Sequence, residues 1–280
     1  MVSKLEILQR FYQIDIETTS DYFKYQGRNY YLGVVNDFTK YYPMYLNNIG
    51  LNGYQIVNNC FNHPISMNHI LYTYQLETYQ LANFIDYSLQ PLNQTIKIVN
   101  IKQSWCQILD SAKERLGIYA SRINHFEHFI ILFYYYQGLG ESAISLLNLI
   151  GDKEMKMGLE HYDLVDSYEI LCNPNNIIIA SRIKDLVECY QKSLIDENQL
   201  DGYIRNYQLT PEELIYFYAR LLFPSSFMKL TLEQDCQDLR IKSQILNMYQ
   251  NLDYQKTLIN KADKIINQYI SLPKISWLSS

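Results

Sequence analysis

The order of the periodicities along the chain constrains the fold more than anything else. Short aromatic and β-branched runs fill the first 76 residues, and helical spacing fills nearly all the rest. Residues 1–16 place Leu5, Leu8, Phe11 and Tyr12 at helical spacing. The runs 21–25 and 29–35 flank Gln26-Gly27-Arg28 and predict a hairpin. Asn36 stands at a cap position for a helix to Leu46, with Pro43 as an interruption. Residues 54–57 and 70–76 predict two further strands, separated by a polar loop with His63-Pro64.

Behind Leu76 the pattern changes. Residues 98–116 carry Ile101, Trp105, Ile108, Leu109, Ala112 and Leu116 at helical spacing. Asn124 and Glu127 resemble a capping pair before the apolar run 129–136. Residues 141–150 add helical material past Gly138 and Gly140, and 181–194 is amphipathic. Thr210-Pro211-Glu212-Glu213 combines an N-cap threonine, a first-turn proline and a capping-box glutamate. Pro224 ends that helix, and stretches near 229–250 and 254–271 follow. Strands in front and helices behind predict an α+β chain of two lobes, 1–77 and 78–280: a small antiparallel sheet with one helix, then a larger, mostly helical lobe.

Composition excludes several classes. Hydrophobic residues make up 48% and charged residues 19%, which suits a packed core rather than disorder. The net charge is -5 and no Lys/Arg-rich run occurs, so neither nucleic acid nor an anionic membrane is an expected partner. The N-terminus is broken by Lys4, Glu6, Arg10 and Asp15, which does not suit a signal peptide. The apolar run 126–136 is too short to span a bilayer and holds Glu127 and His128. Cys60, Cys106, Cys172, Cys189 and Cys236 form no CxxC pair and read as reduced thiols of a cytoplasmic protein. The 27 tyrosines accompany many Asn, Ile and Lys residues. An AT-rich coding sequence explains them better than a tyrosine binding surface, with some tyrosines replacing Phe or Leu and sending the hydroxyl to the surface.

Several short motifs carry a resemblance. Glu160-His161-Tyr162-Asp163-Leu164 resembles a catalytic loop, 175–180 a metal-binding strand, and 181–188 the segment after it. Tyr218-Ala219-Arg220-Leu221-Leu222-Phe223-Pro224 resembles the late helix of the bacterial spore-coat kinase-like proteins, which are similar to aminoglycoside phosphotransferases and choline kinases. The resemblance spans about residues 20–270. It implies a protein-kinase-like two-lobed fold and, possessed of its full motifs, phosphoryl transfer with ATP and Mg.

That chemistry is mostly positioning and charge stabilisation, and most of the implied groups are missing. The strand 30–35 carries no lysine, with Lys24 and Lys40 displaced from it. The helix after it offers only Asp37, better explained by the helix dipole. The hairpin turn has one glycine. Asp163 matches the catalytic Asp, with Tyr162 in place of glycine. Tyr168 stands where the metal-binding Asn belongs, and a phenol is a poor ligand for a hard cation. Ala180 stands where the metal-binding Asp belongs. Asp163 is read as a remnant that bonds loop amides, and Asp185 as a structural residue that the resemblance assigns to bracing the catalytic loop.

His125 and His128 share a helical face, but no third ligand is near and no metal site is expected. The expectation is therefore a catalytically inactive kinase-like protein that binds or scaffolds a protein partner, uses no cofactor, and resides in the cytoplasm or on a spore coat. One alternative is a small-molecule phosphotransferase using ATP and Mg, with Asp163 as base and Asp166 or Glu169 as relocated metal ligand. Another is a helical adaptor unrelated to kinases.

Overall fold

The computed structural model describes residues 2–17, 20–36, 42–51, 53–120, 126–232 and 239–278. Asp37, Lys40, Asn124, His125 and Cys236 lie outside them. The chain divides into two compact units: 1–90 with 158–182, and 91–157 with 183–280. The segment 158–182, placed in the helical lobe on sequence grounds, clusters with the sheet.

The first unit opens with α1 (Lys4–Tyr12), capped by the Ser3 side chain. Strands β1 (Tyr22–Tyr25) and β2 (Arg28–Val34) follow, joined by Gln26 and Gly27. Both turn residues have positive φ, 46° and 80°, as a tight antiparallel hairpin requires, and glycine accepts this without penalty. Helix α2 (Tyr42–Asn48) carries Pro43 in its first turn, where a missing N–H costs nothing, so Pro43 does not interrupt the described helix. Strands β3 (Tyr54–Val57), β4 (Ile65–Ser66) and β5 (His69–Tyr74) complete an antiparallel sheet of order β1-β2-β5-β3, with β4 on β5.

Period-two alternation sorts this sheet into two faces. Phe23, Leu32 and Leu71 join Leu8 and Ile14 in a core beneath the N-terminal segment. On the other face the register aligns Tyr22 with Tyr31, Tyr31 with Tyr72, and Tyr54 with Tyr74. Helix α3 (Leu81–Ser88) comes next in the chain.

The second unit is mostly helical. Strand β6 (Thr95–Lys97) pairs with the start of β7 (Glu154–His161). Helices α4 (Ile98–Ala120) and α5 (Phe126–Ile150) lie between them in sequence. Helix α5 runs unbroken through Gly138 and Gly140, where the sequence suggested separate stretches. A Cβ at Gly140 would lie 2.7 Å from a Leu109 methyl, so this glycine permits the close approach of α4 and α5. Helices α7 (Lys184–Gln191), α8 (Glu197–Asn206), α9 (Pro211–Leu222), α10 (Ser225–Leu232), α11 (Leu239–Gln250) and α12 (Leu252–Ile266) complete the unit. The capping box at Thr210 and Glu213 forms as the sequence predicts. Trp105 stacks on Phe223 at 4.2 Å, tying α4 to the end of α9. No helix among the described residues is long and apolar enough to cross a membrane.

A buried charge cluster holds α7 against α9. Glu188 accepts from Lys184 at 2.6 Å and from Arg220 at 3.2 Å, and fully buried Asp185 lies 3.6 Å from Lys184. Removing Glu188 leaves Arg220 without its carboxylate in a largely buried setting, while Lys184 keeps Asp185. Glu188→Ala is expected to lower the unfolding free energy by about 1–3 kcal/mol, read from urea denaturation; an unchanged midpoint would show that the cluster is solvated.

Candidate functional site

Strand β7 ends at His161, and the chain then turns through 162–176 before β8 (Ile177–Ser181). This turn contains the segment that resembles a catalytic loop. His161 is fully buried, with Nε2 3.2 Å from the Leu171 carbonyl and its ring edge-on to Phe84 at 5.5 Å. Asn176 organises the loop. Its Oδ1 accepts from the Asp163 amide at 2.8 Å, and its Nδ2 donates to the carbonyls of Asp163 and Ile170, both at 2.9 Å. Its backbone carbonyl accepts from the Tyr162 amide at 2.6 Å. One carboxamide thus fixes the backbone at Asp163. Asp163 and Tyr162 present exposed side chains.

The short helix α6 (Tyr168–Leu171) is bonded to the sheet by tyrosine hydroxyls. Tyr22 donates to the Glu169 carbonyl at 2.7 Å and Tyr74 to the Glu169 carboxylate at 3.3 Å. Tyr42 donates to the Cys172 carbonyl, and Tyr79 to Asp166 at 2.8 Å. With its amide turned so that the nitrogen faces the Val34 carbonyl, the Asn175 carboxamide makes two bonds to the backbone of Val34 on β2, at 3.1 and 3.2 Å.

Between these bonds the tyrosine rings form a continuous layer. Tyr22 lies 4.6 Å from Tyr31, and Tyr54 stacks on Tyr74 at 4.9 Å. Tyr42 meets Tyr54 and Tyr72 edge-on at 5.7 and 5.8 Å. Tyr168 stacks on Tyr54 at 6.2 Å and touches Tyr79 at 5.8 Å. Such offset and edge contacts are the favoured aromatic geometries.

Burial dominates the electrostatics of this layer. It pushes the Tyr31 phenol up to about 12, with a hydrogen bond to Asn173 pulling the other way. Tyr74 rises to about 12 through burial first and the Glu169 carboxylate second. Tyr42, Tyr54 and Tyr168 are displaced further upward, burial again being the largest cause. The Cys172 thiol is pushed up to about 12 by burial and then by Glu77, which leaves it protonated and unreactive at neutral pH.

The residues singled out from sequence fall in different settings. Asp163, Tyr162 and Tyr168 share the 162–176 turn, and Ala180 sits half-buried on β8. Asp185 belongs to the second unit, buried on α7. Asp166 and Glu169 are exposed on the turn, each accepting from a tyrosine hydroxyl. His128 meets Tyr249 edge-on at 4.6 Å. No group of three or more His, Cys, Asp or Glu side chains among the described residues is placed to hold a metal ion.

Sequence reasoning missed Asn176, Asn175 and the tyrosine layer. The tyrosines were visible at alternate positions, Tyr72 and Tyr74 among them, but were read as a coding bias. Nor do their hydroxyls generally reach the surface: those of Tyr22, Tyr42 and Tyr74 bond α6 and the residue after it.

Strand β2 turns Tyr31 toward the turn, where the Tyr168 phenol is buried and the carboxylates of Asp163, Asp166 and Glu169 are exposed.

No protein-family model matches the chain, and no curated protein matches it. Among solved structures it is similar to an aminoglycoside phosphotransferase from Alicyclobacillus acidocaldarius subsp. acidocaldarius DSM 446. The two share 12% identity with a TM-score of 0.59, over 87% of this chain and 88% of the other. The chain therefore has a kinase-like fold of the aminoglycoside phosphotransferase type, as the order of strands and helices predicted.

The tyrosine layer makes stability depend on alkaline pH. Unfolded phenols ionise near 10, whereas folded Tyr31 and Tyr74 hold their protons to about 12. Between those values the unfolded chain has lost protons that the folded chain keeps, so stability is complete below pH 10 and falls as pH rises. A buried phenol contributes a slope of about 1.4 kcal/mol per pH unit in that window. The urea midpoint is expected to fall steeply from pH 10 to 12, and less steeply in Tyr42→Phe. Equal slopes would show that the Tyr42 phenol ionises freely in the folded state.

Proposed function

We propose that the chain is a catalytically silent kinase-fold protein that acts by binding. The tyrosine layer carries this reading. A phosphotransferase of this fold needs an open space between the lysine strand and the loop Asp for nucleotide and metal. Here the corresponding face of the sheet is covered by Tyr22, Tyr31, Tyr54, Tyr72 and Tyr74, and four tyrosine hydroxyls plus Asn175 bond the sheet segments to 166–175. Opening that space would separate the rings and exchange each hydroxyl's protein partner for water, at a cost of about 0.5–1.5 kcal/mol per bond.

Two further features support the same reading: the strand 30–35 has no lysine, and Tyr168 and Ala180 occupy the positions aligned with metal ligands. Removing single groups of this kind costs orders of magnitude in rate, and several are replaced together. We therefore assign Asp163 as a remnant and propose a function without nucleotide or magnesium, exercised through a protein partner. The likeness of 218–224 to spore-coat kinase-like proteins makes the cytoplasm of a spore former, or its coat, the proposed setting.

Thermal unfolding with and without ATP and magnesium tests this, because a ligand that binds only the folded state must raise the midpoint. No shift with ATP, ADP or GTP is expected. A magnesium-dependent shift, together with ATP turnover lost in Asp163→Asn, would instead establish a phosphotransferase with Asp166 or Glu169 as relocated ligand.

A further inference from the structure

The helical unit carries an open groove of about 400 Å³ between α5 and the segment 273–277 that follows α12. Its volume is within the range of small-molecule sites. The segment is held at both ends. Leu272 and Leu278 are buried, and the Leu272 amide donates to Asn267 Oδ1 at 2.9 Å. Between these anchors Trp277 rests on α5. A Cβ on Gly138 would lie 3.3 Å from Trp277 Cζ2, and Tyr135 meets the indole edge-on at 5.8 Å.

The walls of this groove are open to a ligand. Trp277 is 41% exposed and Leu149 56%. Along α5, Glu141, Ser145 and Leu149 follow at four-residue spacing, all three exposed and all three lining the groove. Two charged residues line it, Glu141 and Lys274. Glu141 is already matched, since its Oε1 accepts from Lys113 at 3.1 Å and from Gln137 at 2.8 Å. Lys274 is exposed and has no ion pair among the described residues. The groove thus combines accessible apolar surface with one unmatched cation.

We propose that this groove binds a small aryl carboxylate, a flat apolar ring that bears one anionic group. The ring packs against the exposed parts of Trp277 and Leu149. The carboxylate pairs with the Lys274 ammonium. A cationic ligand would meet Lys274 while Glu141 is engaged elsewhere, and a neutral ring would leave the ammonium unused. The site lies wholly in the helical unit and does not depend on the silence of the tyrosine-covered sheet.

Tryptophan emission tests the proposal, because the chain has two tryptophans and Trp105 is buried against Phe223. Titration of the full chain with hydrocinnamate is expected to change the emission saturably. The neutral amide of hydrocinnamate is expected to bind about two- to fivefold more weakly, the range of an exposed ion pair. Hexanoate, which has the charge but no ring, is expected to bind more weakly than hydrocinnamate. Lys274→Gln is expected to erase the preference for acid over amide. Leu149→Glu, which sets a second carboxylate at an exposed position of the wall, is expected to weaken binding of the acid. The proposal is overturned if the emission does not saturate, if acid and amide bind equally, or if hexanoate binds as tightly as hydrocinnamate. It is also overturned if either variant leaves acid binding and its preference unchanged, or if the emission change persists in Trp277→Phe and so reports a ligand near Trp105.

Discussion

The hydrogen bonds from tyrosine hydroxyls to the segment 166–172 are the constraint on which the first unit depends. A phenol is large enough to fill an interior and carries one polar atom that must find a partner there. Tyr42 is the extreme case: its side chain is wholly buried, and its hydroxyl reaches the Cys172 carbonyl. The antiparallel register sets up the rest. With Tyr31 opposite Tyr72 and Tyr54 opposite Tyr74, one face of the sheet becomes aromatic, and α6 closes over it with Tyr168. The register and the hydroxyl bonds thus act on one surface, and packing fills it.

Asn176 has a complementary role. Through bonds to Tyr162, Asp163 and Ile170 it maintains the backbone of the 162–176 turn. The shape of this turn thus rests on backbone bonds and one carboxamide rather than on its exposed carboxylates. The second unit is stabilised independently, by the Trp105–Phe223 stack and by the Lys184, Asp185, Glu188 and Arg220 cluster.

Much of this fold was legible in the sequence. Period-two runs located β1, β2, β3 and β5, and the Thr210-Pro211-Glu212-Glu213 signal located α9, because these signals are local. Strand β7 is not legible: Met155, Met157 and Gly158 are weak strand formers, and pairing with β6 and β8 on either side explains it. Helix α8 was missed because its apolar stripe is thin, with only Leu200 and Ile204 buried. The loop position of Asp163 followed from short motifs. The tyrosine layer did not, because it joins residues such as Tyr22 and Glu169, 147 positions apart, and composition alone cannot separate a coding bias from a core.

If the sheet and the 166–176 segment are one closed unit, they must open together. Native-state hydrogen exchange measures this directly, since amides of one cooperative unit share one opening free energy. The account predicts equal protection for amides of β5 at 70–74 and of α6 at 170–172, with both reduced together in Tyr42→Phe. Exchange at 170–172 several orders of magnitude faster than at 70–74 would describe a loop free to leave the sheet, and would contradict the account.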